Sequence, residues 1–357
     1  MNYTLNSMQV DVGIVIVNWN AWADTLECLE AVFRLHEFCG PVVVCDNGSV
    51  DGSLDAIELW AMSALCIIPE GPAKQVRDLV IPPVGKSIDF RRVTRCQPQE
   101  AGDAISQGVR LILVDCGANL GFAGANNVGL RMLGLCPTIK YFWLLNNDAL
   151  PARDSLRELK SVASRQDGPV ITGSVLLEYW RPDTIQALGG RYWLYWGRCK
   201  PLMKGEPEKI LSQMNDAVPV DYPVGAALMV NREFIETYGL MCEDYFLYFE
   251  EVDWVIRMGW PSRAFIATRS LVYHKGGKST LGGQSGRDRS LMADYYIIRG
   301  RMLLARKISF LARFTVFAAT TVAVMGRIFR PQKGVVNNAI RALQSGLLDK
   351  KTKENRL

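Results

Sequence analysis

Short apolar runs alternate with amphipathic segments along the first 150 residues of the chain. Four mainly apolar runs are typical of strands that are buried on both faces of a sheet. They are VGIVIV at 12–17, PVVVC at 41–45, VRLILVD at 109–115 and YFWLL at 141–145. A helical segment follows each of the first three runs, which is the pattern of parallel βαβ units. We therefore predict an α/β fold with a mostly parallel sheet flanked by helices.

Polar residues end three of these runs. Asn18 and Asn20 follow the first, Asp46 and Asn47 follow the second, and Asn146, Asn147 and Asp148 follow the fourth. Because open α/β sheets bind ligands at the carboxyl ends of their strands, we expect these side chains to converge on a ligand. A carboxylate flanked by amides suits a divalent cation that carries phosphate oxygens. A turn that begins the next helix is an equally supported interpretation of Asp46 and of Asp148.

The stretch between the second and third runs breaks the pattern. Residues 69–107 are rich in proline, glycine and charge, which predicts a long, solvated surface insertion. After the third run, Gly121, Gly124 and Gly129 surround Asn126 at a predicted helix start, where backbone N–H groups can approach a nucleotide. This spacing is not GxGxxG, and it disfavours a dinucleotide-binding Rossmann enzyme.

A second chemical centre is predicted at 244–254, DYFLYFEEVDW. Glu250, Glu251 and Asp253 place three carboxylates within four residues, directly after a run of aromatic residues. Partial burial and mutual repulsion raise the pKa of such a carboxyl group toward the range of a general base. The alternative is a helix N-terminus whose acidic residues interact favourably with the helix dipole.

Aromatic residues are concentrated between these two centres. They are Tyr179, Trp180, Tyr192, Trp193, Tyr195 and Trp196. Their faces suit sugar rings, Trp and Tyr also anchor proteins at membrane interfaces, and a hairpin that buries them is the competing interpretation. In YPVGAA, Gly225 leaves room for a substrate, and His274 closes the strand-like SLVYH before a loop rich in glycine and lysine.

Charge is distributed unevenly along the 357 residues, whose net charge is +5. From Arg299 onward there are 13 Lys and Arg against 2 Asp and Glu, which predicts a basic tail that meets phosphates or an anionic surface. The nine cysteines form no CxxC pair, so we expect reduced thiols in a cytoplasmic protein. The N-terminus lacks the basic start and long apolar core of a signal peptide, and no nucleic-acid partner is expected.

The basic tail contains an apolar stretch at 303–329 with no Asp or Glu. Arg313 and Arg327 bound 13 uncharged residues, too few for a membrane span of about 20 residues. We predict an amphipathic helix that lies on the anionic inner face of the cell membrane. A helical interface within a homodimer is the competing hypothesis.

Five motifs in this order resemble those of the family 2 glycosyltransferases, in particular their rhamnosyltransferase-like bacterial members. They are VIVNWN, CDNGSVDGS, NLGFAGANNVG, LLNND and FLYFEEVDW, within a resemblance that covers residues 12 to 301. The resemblance implies a GT-A fold, a nucleotide-diphosphate sugar donor, Mg²⁺ or Mn²⁺ as cofactor, and inversion at the anomeric carbon. Where the family has its DxD motif, this chain has Asn146-Asn147-Asp148, so only one of the three residues is a carboxylate.

Carried across position by position, the resemblance implies roles for individual residues. The donor-binding positions are Asn18, Asn20, Asp46, Asn47, Gly121, Asn126, Asn146, Asn147 and Arg299, the last contacting either phosphate or the protein itself. The metal ligands are Asp148 and His274, and the acceptor-binding positions are Trp193, Gly225 and Asp244. Glu251 is the general base, while Glu250 and Asp253 orient the acceptor or neighbouring side chains.

The resulting hypothesis is a GT-A domain at 1–298 followed by a basic helical extension at 299–357. Within the domain, 1–150 forms the nucleotide-sugar half and 151–298 the acceptor half. The expected reaction transfers a sugar, with dTDP-rhamnose as candidate donor, to a hydroxyl of a glycan or lipid-linked acceptor in cell-surface polysaccharide synthesis. The alternatives are a nucleotidyltransferase and a non-catalytic sugar- or nucleotide-binding scaffold.

Overall fold

Eleven strands pair into one mixed sheet in the computed structural model of the protein, within the residues that the structure describes. These residues are 10–69, 73–84, 87–259, 264–276, 291–325 and 334–348. Helices cover both faces of the sheet, and three further helices follow it in the chain.

The elements are numbered here in chain order. The strands are β1 (Val12–Asn18), β2 (Val42–Asp46), β3 (Phe90–Thr94), β4 (Leu111–Asp115), β5 (Tyr141–Asn146), β6 (Ala149–Pro151), β7 (Ile171–Glu178), β8 (Arg181–Ala187), β9 (Gly190–Trp193), β10 (Arg198–Pro201), β11 (Ala217–Val220), β12 (Ala227–Asn231) and β13 (Ala264–His274). The helices are α1 (Trp22–Val32), α2 (Ser53–Ala61), α3 (Lys74–Arg77), α4 (Pro98–Ser106), α5 (Gly121–Gly134), α6 (Ser155–Ser164), α7 (Arg232–Tyr238), α8 (Glu250–Arg257), α9 (Leu291–Ile308), α10 (Phe310–Met325) and α11 (Val335–Leu348).

The order of the strands confirms the predicted fold class. Along the sheet it is β11-β13-β7-β12-β5-β1-β2-β4-β3, with β6 and β8 paired to β13 and β7. The five strands from β5 to β3 are mutually parallel. The antiparallel strand β12 separates them from β7 and β13, which run in the same direction as β5. Seven strands therefore share one direction, and their carboxyl ends form one edge.

The apolar runs are buried on both faces of the sheet, as their composition predicts. In β1, Ile14 and Ile16 belong to one core cluster and Val15 to the other. This alternation follows from the two-residue period of a strand. Helices from each side complete the two clusters, so the polar strand ends are held between two packed layers.

The segment at 69–107 differs from the solvated insertion that its composition predicts. It contains α3, the edge strand β3 and the helix α4. β3 pairs in parallel with β4, yet only Val93 of its five residues is buried. An edge strand that exposes Arg91 and Arg92 carries no apolar run, which is why its sequence does not reveal it.

The C-terminal apolar stretch is divided between two helices. The chain breaks at Ser309, between the end of α9 at Ile308 and the start of α10 at Phe310, and residues 326–329 of the stretch lie outside the described residues. The Ser309 hydroxyl accepts a hydrogen bond from the Ala312 N–H, which caps the start of α10. In the described part of the chain, no helix is both long and apolar enough to cross a membrane.

The helix α5 approaches the sheet unusually closely at Gly129. A Cβ atom added there would lie 2.5 Å from a Val15 methyl carbon of β1 and 3.3 Å from the Cys45 sulfur of β2. Both neighbours are fully buried and cannot move without disturbing the sheet. The absence of a side chain at Gly129 therefore sets the distance between α5 and the strands β1 and β2.

We predict that Gly129→Ala lowers the free energy of unfolding by about 1–3 kcal/mol, because overpacking outweighs the better helix propensity of alanine. Val15→Ala removes the methyl groups in question, so the double variant should lose less than the sum of the two single losses. Urea unfolding of all four proteins measures this. A stabilising or strictly additive Gly129→Ala would show that the helix does not depend on this close approach.

Candidate active site

The polar ends of β1 and β2 hold each other in a buried hydrogen-bond network. The strands are in register, with Asn18 beside Asp46. Asn18 Nδ2 donates to Asp46 Oδ1 at 2.7 Å, and Asn18 Oδ1 accepts from the Thr25 hydroxyl of α1 at 2.7 Å. The Ser49 N–H donates to the second Asp46 oxygen at 3.0 Å. Each of these hydrogen bonds gives a polar group a partner, and without that partner its burial would lower the stability of the fold.

The same network reaches the end of β5. Asn147 Nδ2 donates to the Thr25 hydroxyl at 3.1 Å, so Thr25 joins the tips of β1 and β5. Asn20, with φ of 50°, accepts from the Val50 N–H through its side-chain oxygen. The predicted donor positions at three strand ends are thus brought together. Thr25, which links them, carries no signal in the sequence.

The loop at 117–121, here called the glycine loop, leads into α5 and is tied to this edge of the sheet through Asn47. Asn47 Oδ1 accepts from the Leu120 N–H at 2.8 Å, and its Nδ2 donates to Asn119 Oδ1 at 3.0 Å. Asn126 instead donates to the Phe122 carbonyl within α5 and is buried. The structure therefore gives Asn126 a bond within the helix, while Asn47 positions the loop.

Asp148 and His274 meet beyond the end of β5. His274 Nε2 lies 3.1 Å from Asp148 Oδ1 and 3.5 Å from Asn146 Nδ2. The other ring nitrogen, Nδ1, contacts Gln186 Oε1 at 2.6 Å. Burial of the imidazole disfavours its charge, but the charge and hydrogen bond of Asp148 outweigh burial, so the pKa of His274 is raised.

This group could hold a divalent cation together with oxygens from a substrate. One carboxylate, one imidazole and one amide converge here, and no group of three or more His, Cys, Asp or Glu suited to a metal occurs among the described residues. Mg²⁺ is commonly bound by one or two carboxylates plus substrate phosphates. These three side chains therefore suit a metal ion that is also bound by the oxygens of a diphosphate.

Lys275 anchors the strand that carries His274. Its backbone N–H donates to the Asp148 carbonyl, and its buried ammonium forms ion pairs with Asp24, at 2.6 Å, and with Glu27 of α1. The ammonium also lies 4.8 Å from the centre of the Tyr179 ring. The sequence places Lys275 at the start of a basic loop, but it does not predict the ion pairs of Lys275 with Asp24 and Glu27.

The second centre is built on a strained turn. Phe246, Tyr248 and Phe249 all have positive φ, of 63°, 68° and 74°, which is rare for bulky residues. The turn delivers Glu250 and Glu251 to the start of α8. Strain of this kind persists only where surrounding contacts impose it, and such positions are concentrated at functional sites.

The two glutamates have strongly perturbed environments. Glu250 is 1% exposed, and its Oε1 has no hydrogen-bond partner among the described residues. Burial and then the charge of Glu251 raise the pKa of Glu250 well above its ordinary value. Burial raises the pKa of Glu251 to about 7, near the working range of a general base.

Asp253 has a different role from its neighbours. Its Oδ1 accepts from Lys307 of α9 at 2.8 Å and from the Tyr245 hydroxyl at 3.0 Å, and Arg257 lies 3.2 Å from its Oδ2. The carboxylate is fully enclosed by these partners. Of the roles that the sequence left open, orienting neighbouring side chains is the one that the contacts favour.

Backbone contact brings the two centres together. The Phe122 N–H donates to the Phe246 carbonyl at 2.7 Å, and a Cβ atom at Gly121 would lie 2.5 Å from that carbonyl oxygen. A Cβ atom at Gly225 would lie 3.5 Å from the Phe122 ring and 4.0 Å from the carboxyl carbon of Glu251. The glycine loop, Gly225 and Glu251 therefore border one space.

Three further predicted site residues lie outside the contacts described so far. Arg299 donates to the carbonyls of Asp244 and Tyr245 and to the Ser345 hydroxyl, so it makes the contact with the protein itself that was one of its two expected roles. The backbone carbonyl of Asp244 accepts one of these hydrogen bonds. Trp193 is exposed and lies on the opposite face of β9 from the buried Tyr192, so the structure does not bring it to Glu251.

Comparisons with known proteins support the same architecture. No family model matches the chain. Over 146 residues the chain is 25% identical to the low-salt glycan biosynthesis hexosyltransferase Agl10 of Haloferax volcanii, across 40% of this chain and 45% of that protein. The chain thus matches less than half the length of this curated relative.

Solved structures of S. aureus TarS are similar in fold. TarS 1–349 in complex with UDP-GlcNAc superposes with a TM-score of 0.50 at 10% identity, covering 94% of this chain and 80% of that one. For a second TarS structure the TM-score is 0.47 at 9% identity, with coverage of 93% and 49%. The likeness to TarS 1–349 shows that the chain has a GT-A-like α/β fold.

The raised pKa of Glu251 predicts a pH-dependent effect on stability. The folded protein retains a proton that the unfolded chain releases between about pH 4.5 and about 7, so stability falls as the pH rises through this window. Glu251→Gln should therefore raise the free energy of unfolding by on the order of 2 kcal/mol above this window and have little effect below it.

Denaturant unfolding at a pH on each side of the window measures this effect. Glu236→Gln, at an exposed position of α7, is the matched control and should change stability at neither pH. Equal effects of Glu251→Gln at both pH values would contradict a raised pKa at this position.

Proposed function

We propose that the chain transfers a sugar from a nucleotide-diphosphate sugar to a hydroxyl group of a glycan or lipid-linked acceptor, with inversion at the anomeric carbon. The observation that carries the proposal is the position of Glu251, whose pKa is raised to about 7, beside Gly225 and after the turn that is hydrogen-bonded to the start of α5. The fold shared with TarS and the match to a glycan hexosyltransferase support the same class of reaction.

In this proposal the nucleoside lies against the tips of β1 and β2. Asp46 and Asn18 are buried and already hydrogen-bonded to each other, so they hold the two strand ends in a preorganised arrangement. Asn47 holds the loop that would approach the ribose and diphosphate. The order of the five sequence motifs supports this assignment, with dTDP-rhamnose as the candidate donor.

Asp148 and His274 are the proposed ligands of a divalent cation, Mg²⁺ or Mn²⁺. When bound, such an ion neutralises negative charge on a leaving diphosphate. Gln186 orients the imidazole through Nδ1, which leaves Nε2 directed toward Asp148. Lys275, paired with Asp24 and Glu27, keeps this strand end fixed against α1.

Glu251 is the proposed general base. Its carboxylate takes the proton from the acceptor hydroxyl as the oxygen attacks the anomeric carbon from the face opposite the leaving diphosphate. Burial and the charge of Glu251 raise the pKa of the neighbouring Glu250 well above its ordinary value, which favours the protonated form, and in that form Glu250 can orient the acceptor by donating a hydrogen bond. The acceptor would approach Glu251 beside Gly225, which places no side chain between the Phe122 ring and the Glu251 carboxyl group.

The two adjacent glutamates, of which Glu250 is buried, favour catalysis over a binding scaffold. A carboxyl oxygen without a partner in the interior lowers stability, and nothing in sugar or nucleotide binding at the sheet edge requires it. Raised pKa values of this kind are typical of groups that transfer protons. The nucleotidyltransferase alternative has no comparable use for these two residues.

We predict that Glu251→Gln lowers the rate of sugar transfer by roughly 10²- to 10⁴-fold, the contribution typical of a general base, while donor affinity stays near that of the natural chain. The rate for the natural chain should rise as the pH increases to about 7 and then level off, since the base acts unprotonated. Glu236→Gln should retain the full rate and the same pH profile. Unchanged turnover by Glu251→Gln would remove this residue from the mechanism.

A separate prediction concerns the cation. Asp148→Asn should weaken Mn²⁺-dependent binding of a nucleoside diphosphate by roughly 10- to 100-fold, the loss typical of changes at a metal site. Calorimetric titration with and without Mn²⁺ measures this, with the exposed Asp55→Asn of α2 as the matched control. Equal Mn²⁺ enhancement in the natural chain and in Asp148→Asn would exclude Asp148 as a ligand.

A further inference from the structure

The helix α10 carries its large apolar side chains on its outer side. The residues that it buries are Ala312, Val316, Thr320 and Val324, one stripe at four-residue spacing. The exposed ones are Phe310, Leu311, Phe314, Phe317, Val322 and Met325, each between 40% and 75% exposed. In a helix that serves only to pack against a protein core, the large apolar residues would face inward.

The buried stripe already has its partners. Val316 packs with Met302 and Ala305 of α9, and Val324 packs in a cluster with Ile298 of α9 and the alanines of α11. The outer face of α10 is therefore not needed to complete the fold. A contiguous exposed face of six large apolar side chains is typical of an interaction site.

The hairpin of β9 and β10 lies beside α10. Trp193 pairs with Arg198 and Arg191 pairs with Lys200, and all four side chains are exposed on the same face. Tyr195 and Trp196 in the connecting turn are also exposed. The turn touches the helices, because a Cβ atom at Gly197 would lie 2.8 Å from Val316 of α10 and 2.6 Å from Arg301 of α9.

The charge of both segments has one sign. No Asp or Glu occurs from residue 191 to 205, where there are four Lys and Arg, or from 295 to 348, where there are nine. Of these, Lys307 pairs with Asp253 and Arg299 binds backbone carbonyls of the protein. Apolar side chains, Trp and Tyr, and an excess of basic residues together match the boundary of an anionic lipid bilayer, in which apolar groups enter the lipid and cations meet the headgroups.

We propose that the outer face of α10 and the exposed face of the β9–β10 hairpin, together the docking surface, rest on an anionic lipid bilayer with α10 in the plane of the interface. The sixteen residues of α10 extend about 24 Å, short of the roughly 30 Å of a hydrocarbon core, which suits a helix that lies on the membrane rather than one that crosses it. A second copy of the chain is a poorer occupant. A symmetric dimer through this surface would oppose basic residues to basic residues.

The docking surface adjoins the proposed acceptor site. On the inner side of the hairpin, Cys199 is close enough to Glu251 that burial and then this carboxylate raise the pKa of its thiol to about 12. A lipid-linked acceptor in the bilayer would thus reach Glu251 past the hairpin. This last step rests on the proposed transferase function, whereas docking itself does not.

Flotation of the full chain with lipid vesicles tests the proposal. The chain should float with vesicles of phosphatidylcholine and phosphatidylglycerol, and high salt should weaken this binding. Arg191→Gln, Arg198→Gln and Lys200→Gln together should lower vesicle affinity on the order of 100-fold, given about fivefold for each basic residue. The same triple change at the exposed Lys74, Arg91 and Arg95 should have far less effect.

Phe310→Ser with Phe314→Ser tests the apolar part and should lower vesicle affinity roughly tenfold or more. Met62→Ser with Ile68→Ser, at exposed apolar positions outside the candidate site, is the matched control. Failure of the natural chain to float, or flotation unaffected by the phenylalanine changes, would overturn the proposal. So would sedimentation showing a dimer that these changes dissociate, since the occupant would then be a second copy. Unchanged nucleotide affinity in each variant shows that any loss belongs to docking and not to the proposed donor site.

Discussion

The backbone hydrogen bond from Phe122 to Phe246 joins the two halves of the candidate site, and much of the local structure depends on it. It requires that Gly121 lack a side chain, because a Cβ atom would collide with the Phe246 carbonyl. On one side the loop is held by Asn47 at the end of β2. On the other side the strained turn from Phe246 to Phe249 delivers the glutamates to α8. Any displacement of α5 would therefore change the position of the acidic turn relative to the polar strand ends.

The acid turn also depends on the C-terminal helices. Lys307 of α9 pairs with Asp253, and Arg299 binds the carbonyls that precede the turn. These contacts cross the boundary that the sequence predicted at 298 and 299. Removal of a partner from a buried ion pair is strongly destabilising. The basic extension thus stabilises the position of the glutamates from behind, while the outer face of α10 remains available for the proposed membrane contact.

Much of the fold could be predicted from the sequence, because unbroken apolar runs with polar ends admit few arrangements other than a buried parallel sheet. A polar residue that follows an apolar run lies at the end of a strand, so Asn18, Asp46 and Asp148 could be identified from the sequence. The edge strand β3 could not, since an exposed strand lacks an apolar run. Thr25 and Gln186 act through contacts between residues distant in sequence, which no local pattern records. The outward position of Trp193 was recoverable, because it follows from alternation with Tyr192.

The central claim is that the carboxyl edge of the sheet binds a nucleotide-sugar donor with the help of a divalent cation. Calorimetric titration of the natural chain with UDP, dTDP and GDP, each in the presence of Mn²⁺ and again after chelation, tests this most directly. We expect one of the three nucleotides to bind at a single site, with an affinity that chelation weakens. Absence of binding by all three nucleotides in the presence of Mn²⁺ would contradict it.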